Sequence, residues 1–110
     1  KDIAYKDFIK RGGEMISPEE VEQVLHSHPS IDEAAIIGVD DPDWGERVRA
    51  VIVLKRGNEV GERDIIEYCR SRLSSFKKPE SVVFIEYLPR NAMGKVLKRE
   101  LKQKYDHPIG

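Results

Sequence analysis

Two continuous apolar runs stand in the middle of this chain, Ala34 to Val39 and Val48 to Leu54, both made of β-branched and small residues. Bounded by turn residues, runs of this length and composition predict strands. Asp40-Asp41-Pro42-Asp43-Trp44-Gly45-Glu46 joins them as a turn-rich loop, so an antiparallel pair is the simplest arrangement. Before them, Ser17-Pro18-Glu19-Glu20 opens a helix: Ser17 can cap, Pro18 suits the first helical position, and Glu20 closes a capping box. Val21, Val24, Leu25 and His28 then recur at spacings of three and four, and Pro29 ends the helix. Asp64 to Leu73 predicts a second helix with Ile65, Ile66, Cys69 and Leu73 inward, and Leu97, Leu101 and Tyr105 mark one face of a third. Val82 to Ile85 is a short strand. Near the N-terminus, Phe8-Ile9 and Met15-Ile16 flank Lys10-Arg11-Gly12-Gly13-Glu14 as a hairpin with a glycine turn. The resulting order is hairpin, helix, strand, strand, helix, strand, helix. It predicts an α+β domain: a small antiparallel or mixed sheet flanked by three helices that cover one face, with an N-terminal β-hairpin. Asp106 to Gly110 reads as a frayed tail.

With 110 residues the chain is one domain with one modest core. A 39% hydrophobic and 35% charged composition fits a soluble globular fold, and a net charge of -1 excludes a surface given over wholly to nucleic acid or membrane. The charge is uneven, because basic residues outnumber acidic ones between Lys77 and Lys104. The single Cys69 excludes an intrachain disulfide framework and fits a reducing compartment, the cytoplasm. No apolar run approaches a membrane span and no signal peptide is visible. The chain opens on Lys1-Asp2-Ile3 without an initiator Met, which reads as a piece of a larger protein.

Two segments could carry chemistry. Pro89-Arg90-Asn91-Ala92-Met93-Gly94-Lys95 is a polar loop bracketed by proline and glycine that presents one cation, suited to a phosphate or carboxylate. Gly12-Gly13 supplies positive φ for a turn, and the missing Cβ atoms also let a thin ligand pass close to the backbone. Taken singly, a surface lysine and a simple hairpin turn explain them as well. Trp44, Phe76 and Lys78 form a looser group: an aromatic beside lysines suits stacking on adenine and phosphate contact, and ordinary packing is the alternative. His26 and His28 sit two apart on a helix and make a poor metal pair. Cys69 falls on an apolar face, and Asp40, Asp41 and Asp43 read as a solvated turn, so no metal site is predicted.

The lysine loop and the glycine hairpin, in this order and with this much chain between them, resemble the C-terminal domain of the adenylate-forming (AMP-binding) enzymes. The likeness is to acyl-CoA and aryl-CoA synthetases above all, and it covers nearly all of the chain. It implies an acid–CoA ligase that uses ATP to form an acyl-AMP and then transfers the acyl group to CoA. Lys95 would enter the active site of a larger N-terminal domain during the first half-reaction. Gly12 and Gly13 would line the pantetheine channel in the second, Gly13 closest to the thiol, and Glu14 matches an acidic position of many CoA ligases. Trp44, Phe76 and Lys78 would lie near CoA; Glu80 stands where a basic residue can occur. Residues 1–8 would be the remnant of an interdomain linker with Lys6 as the hinge, although Ala4 replaces the usual arginine. ATP, CoA and Mg²⁺ would bind to the full-length enzyme, mainly outside this chain, and the chain alone would be inactive. Its partners would be the N-terminal domain of the same protein and a carboxylic acid. Two other readings remain: an adenylation domain serving a carrier-protein phosphopantetheine arm, and a non-catalytic module binding an anionic partner through its basic C-terminal helix.

Overall fold

A computed structural model of the chain describes residues 8–110. The apolar runs form the antiparallel strands β3 (Ile31–Asp41) and β4 (Gly45–Leu54), in register from Ile31↔Leu54 to Asp41↔Gly45 with one irregularity between Ile31 and Glu33. Both strands extend into the expected loop, which shrinks to Pro42-Asp43-Trp44. Asp41 closes that short turn: its Oδ2 accepts the N–H of Asp43 and of Trp44, each at 3.0 Å, a side chain standing in for a backbone acceptor. The hairpin pairs β1 (Ile9–Arg11) with β2 (Glu14–Ile16). Gly12 and Gly13 have φ of +57° and +89°, the sign a two-residue hairpin turn requires. β1 meets β4 at Arg11↔Gly45, and β5 (Ser81–Phe84) lies parallel to β4, so the five-stranded sheet is mixed.

Helices cover both faces of the sheet, which corrects the expectation of one covered face. Helices α1 (Pro18–His26) and α2 (Glu62–Arg70) bring Val21, Leu25, Ile65 and Cys69 onto Ala34, Ile36, Val48, Ala50 and Ile52. On the opposite face Leu88 and Leu101, the latter from α3 (Lys98–Lys104), cover Ala35, Ile37, Val51 and Val53. The cause lies in the strands themselves. Successive side chains point to opposite sides, so a run with apolar residues at successive positions makes both sides apolar and both need cover.

The helix starts also differ in detail. Ser17 is the N-cap residue and Pro18 the first helical residue, yet the Ser17 side chain makes no capping bond. Glu20, expected to close the capping box, instead pairs with Lys77 at 3.0 Å. Ahead of α2, Asp64 accepts the Gly61 N–H at 3.0 Å, so this helix begins at Glu62.

β3 and β5 are the outer strands against α1 and α2, and side chains satisfy their outward backbone groups. Glu22 and His26, one turn apart on α1, accept the N–H of Ile36 (2.8 Å) and of Ala34 (3.2 Å). Lys98 Nζ donates to the Ile36 carbonyl at 3.0 Å and pairs with Glu22 at 2.7 Å. On β5, the Val82 N–H donates to Glu62 Oε2 at 2.9 Å. Capped in this way, the outer strands offer a poor template to another chain.

Arg49 interrupts the apolar run of β4 and is only 1% exposed. Its guanidinium donates to Ser81 Oγ (3.0 Å) and to the carbonyls of Tyr105 (2.7 Å) and His107 (2.8 Å). Burial lowers its pKa, opposed by the charges of Glu62 and Asp106. Asp106–Gly110 holds no helix or strand, yet it is tied down, because Arg47 Nη1 also donates to the Ile109 carbonyl at 2.9 Å. Deleting residues 106–110 is expected to lower the unfolding free energy by about 1–3 kcal/mol, since Arg49 loses a partner in a dry site. Urea denaturation measures this, and an unchanged midpoint would show that the tail contributes nothing.

Candidate functional site

The lysine loop is a closed, pre-ordered turn. Arg90 and Val96 form a bridge across it. Within it the Asn91 N–H donates to the Lys95 carbonyl and the Gly94 N–H to the Asn91 carbonyl, both at 2.9 Å. Asn91 Oδ1 accepts the N–H of Met93 (2.9 Å) and of Lys95 (3.0 Å), and Gly94 supplies φ +85°. Arg90 fastens the loop by donating to the Gly94 carbonyl at 2.6 Å and pairing with Glu33 on β3. Lys95 is exposed at the end of this turn, beside a hollow of about 160 Å³ that Ser17, Pro18, Glu19 and Glu22 also line. Among the described residues its ammonium has no hydrogen-bond or ion-pair partner. Four basic residues of the same half of the chain are paired: Lys77 with Glu20, Arg90 with Glu33, Lys98 with Glu22 and Lys102 with Glu46.

The glycine tip is built differently. The Gly12 N–H donates to the Trp44 carbonyl at 2.8 Å, joining the hairpin to the β3–β4 turn. A Cβ on Gly12 would lie 2.6 Å from Trp44 Cε3, whereas one on Gly13 would meet nothing within 4 Å. Arg11 stacks its guanidinium carbon 4.2 Å from the Trp44 ring centroid. Its Nε donates to Glu80 at 2.7 Å, and Glu80 also accepts from Arg47 Nε at 3.0 Å. Arg47 reaches Asp41 at 3.5 Å, and Asp41 holds the Trp44 N–H. The indole remains 45% exposed.

Of the residues singled out from sequence, Gly12, Gly13 and Trp44 therefore meet, with Glu14 exposed opposite Arg11 in the hairpin register. Phe76 packs half-buried against the core, and Lys78 Nζ lies 3.5 Å from the Ser75 carbonyl. Neither bonds to the glycine tip among the described residues; their segment reaches it through Glu80. Lys6 and Ala4 lie outside the described residues. His26 and His28 are each bound to a separate backbone N–H, those of Ala34 and Ser30. Sequence reasoning missed Arg11, Arg47, Glu80 and Asp41 as a set. Only Asp41 carried a local signal, an Asp two and three residues before the amides it holds.

Burial works to raise the Glu80 carboxyl, but hydrogen bonds from Arg11 and then Arg47 outweigh it and hold the group below its ordinary value of 4.5. Desolvation likewise raises Asp41, and the N–H groups of Asp43 and Trp44 with Arg47 bring it lower overall. Burial pushes the Cys69 thiol up to about 11, which makes it an unreactive core residue.

The family model described as AMP-binding enzyme C-terminal domain matches residues 20–95. The chain is 46% identical over 104 residues to the long-chain-fatty-acid–CoA ligase FadD13 of Mycobacterium tuberculosis, covering 94% of this chain and 20% of that protein. It is 45% identical over 105 residues to the mitochondrial malonate–CoA ligase ACSF3 of Bos taurus, covering 94% and 18% respectively. Among solved structures, ATP-bound MatB from Rhodopseudomonas palustris superposes with a TM-score of 0.90 at 37% identity, over 94% of this chain and 20% of that one. The chain thus spans about a fifth of the length of these relatives.

Two measurements follow from the glycine geometry and the acid pair. Gly13→Ala is expected to cost about 1 kcal/mol of stability, from positive φ alone. Gly12→Ala is expected to cost more and to shift the emission of Trp44, the chain's single tryptophan, because the ring must move. Equal costs and unchanged emission would show that the ring gives way freely. Glu80 and Asp41 have folded pKa values below their unfolded ones, so their stabilisation is complete above the ordinary carboxylate range. It is lost as pH falls through the lowered values. Glu80→Gln should flatten that acid limb in a pH series of unfolding midpoints; an unaltered limb would remove Glu80 from the account.

Proposed function

Since the chain belongs to the AMP-binding enzyme C-terminal domain family, we propose that it is the mobile C-terminal domain of an ATP-dependent acid–CoA ligase. In the first half-reaction a carboxylate oxygen attacks the α-phosphorus of ATP, forming acyl-AMP and releasing pyrophosphate. In the second, a thiol sulfur attacks the acyl carbonyl, forming the thioester and releasing AMP. One observation carries the reading: among the described residues the Lys95 ammonium has no hydrogen-bond or ion-pair partner at the end of a pre-ordered loop, while the flanking Arg90 and Lys98 are paired with Glu33 and Glu22. A positive charge kept free and positioned by its own turn suits a developing anion in a site closed to water, where such a charge has most effect.

The hairpin serves the other half. Gly13 faces open space, so a thin chain passes there without meeting a Cβ, whereas the space at Gly12 is taken by the edge of the Trp44 ring. Glu14 borders the same tip, and Phe76 and Lys78 stand on the segment leading to Glu80. The free thiol donor is CoA, as the names of the CoA-ligase relatives support, in preference to a carrier-protein arm. ATP, with Mg²⁺, binds chiefly to the larger N-terminal domain that the relatives' greater length accommodates, and ATP-bound MatB supports the nucleotide. Residues 1–8 form the linker, with Lys6 the hinge that exchanges the lysine loop for the hairpin. The chain alone is inactive, and a reducing cytoplasm suits its one free, buried cysteine.

Two variants of the complete enzyme test this in opposite directions. Lys95→Ala should lose acyl-adenylate formation by orders of magnitude, while conversion of supplied acyl-adenylate to acyl-CoA is largely spared. Gly13→Leu should slow the thioester step and leave adenylation comparatively intact. Single-turnover rates for each half-reaction decide it. Equal losses from Lys95→Ala in both steps would assign that residue to folding or general binding, and a Gly13→Leu enzyme that adenylates slowly but transfers normally would place the hairpin in the wrong half of the cycle.

A further inference from the structure

Arg11, Glu80, Arg47, Asp41 and Trp44 close a ring. Arg11 lies on the Trp44 face at 4.2 Å and donates to Glu80; Arg47 donates to Glu80 and pairs with Asp41; Asp41 holds the Trp44 amide. The ring joins three segments distant in sequence: the hairpin, the β3–β4 turn and the approach to β5. It adds to the few polar fastenings of the hairpin to the sheet, where β1 meets β4 at the register pair Arg11↔Gly45, the Gly12 N–H donates to the Trp44 carbonyl and the Lys10 N–H to Glu46. Glu80 is the member that cannot be spared. Its two oxygens take both arginines, its side chain is only 13% exposed, and without it Arg11 loses its carboxylate partner while Arg47 keeps only Asp41 at 3.5 Å.

We propose that Glu80 is a positioning residue for the thioester half-reaction, acting through Arg11 and Trp44 without touching substrate. This rests on the reading of the hairpin given above. Glu80 turns Arg11 onto one face of the indole, the Gly12 backbone closes on the ring edge, and the exposed remainder of Trp44 with Gly13 forms the surface along which the thiol donor lies. The adenylation step does not use this surface, so Glu80 should matter to one half of the cycle only.

The test uses Glu80→Gln and Glu80→Asp, each in this chain and in the complete enzyme. In the chain, amide exchange of Gly12, whose N–H donates to Trp44, should quicken about tenfold or more in Glu80→Gln, with a shift in Trp44 emission. In the enzyme, Glu80→Gln should raise the KM for CoA in the thioester step about tenfold while adenylation changes less than twofold. Glu80→Asp keeps the charge and should recover most of both effects. Unchanged Gly12 exchange, equal slowing of both half-reactions, or no recovery with aspartate would each overturn the proposal. Should Glu80→Gln fail to fold, Glu80→Asp and Arg11→Lys carry the same readouts, and a pair that leaves exchange and KM unmoved is equally fatal. A complete wild-type enzyme that makes no thioester defeats the functional reading by itself, and the exchange measurement still decides whether Glu80 holds the hairpin.

Discussion

The structure depends on one constraint: β3 and β4 pair along their whole length, and the pair is apolar on both sides. An antiparallel ribbon of this kind cannot lean one face on water, so a short chain must cover two faces with three short helices. The first face is closed by α1 and α2. The second has Leu88 and the seven-residue α3. Arg49 lies on the same side of β4 as Val51 and Val53. It turns a charge inward and satisfies it on the carbonyls of Tyr105 and His107, so the last irregular residues complete the layer that the helix leaves unfinished. An arginine can do this because its forked donors match several carbonyls at once and its charge is not easily surrendered.

The same constraint explains the polar residues on the inner sides of α1 and α2. A two-faced sheet still has edges, and an edge near a helix cannot rely on water. Glu22, His26 and Glu62 point at outer-strand amides for that reason. Lys98 then satisfies the Ile36 carbonyl and the Glu22 charge together, fastening α3 to α1 across the strand edge. The helix that follows the lysine loop is thus held by the fold's own edge protection, and the loop inherits a fixed base.

Much of this was legible from local pattern. Apolar runs, the glycine turn and the helical periods identified the strands and α-helices and their order, because each is a short-range property of the chain; the 3-10 turn at Ser75–Lys77 was not among them. What was not legible depends on partners far apart. Glu20 looked like half of a capping box, and its choice of Lys77 is set by a residue more than fifty positions away. One covered face was expected, and only the packing of Leu88 and Leu101 reveals the second and what covers it. In the site, Lys95, Gly12, Gly13 and Trp44 carry marks in the sequence. Arg11, Arg47 and Glu80 are ordinary charged residues whose meaning appears only when the sheet brings them together.

The two chemical elements hang from opposite ends of one stiff object. The lysine loop is fastened by Arg90 to Glu33, and the hairpin meets the sheet at Gly45, across from Asp41. From Glu33 to Asp41 the strand runs roughly 25 Å. Neither element contacts the other through a bond among the described residues, so neither can be brought to a common active site by a local loop movement. If both serve one enzyme, as proposed, the whole ladder must turn to exchange them. That makes rigidity of β3–β4 a functional property as well as a stabilising one: a sheet that flexed would blur the placement of both ends, and the ring around Glu80 and the Asn91 turn would each position their residue against a moving reference.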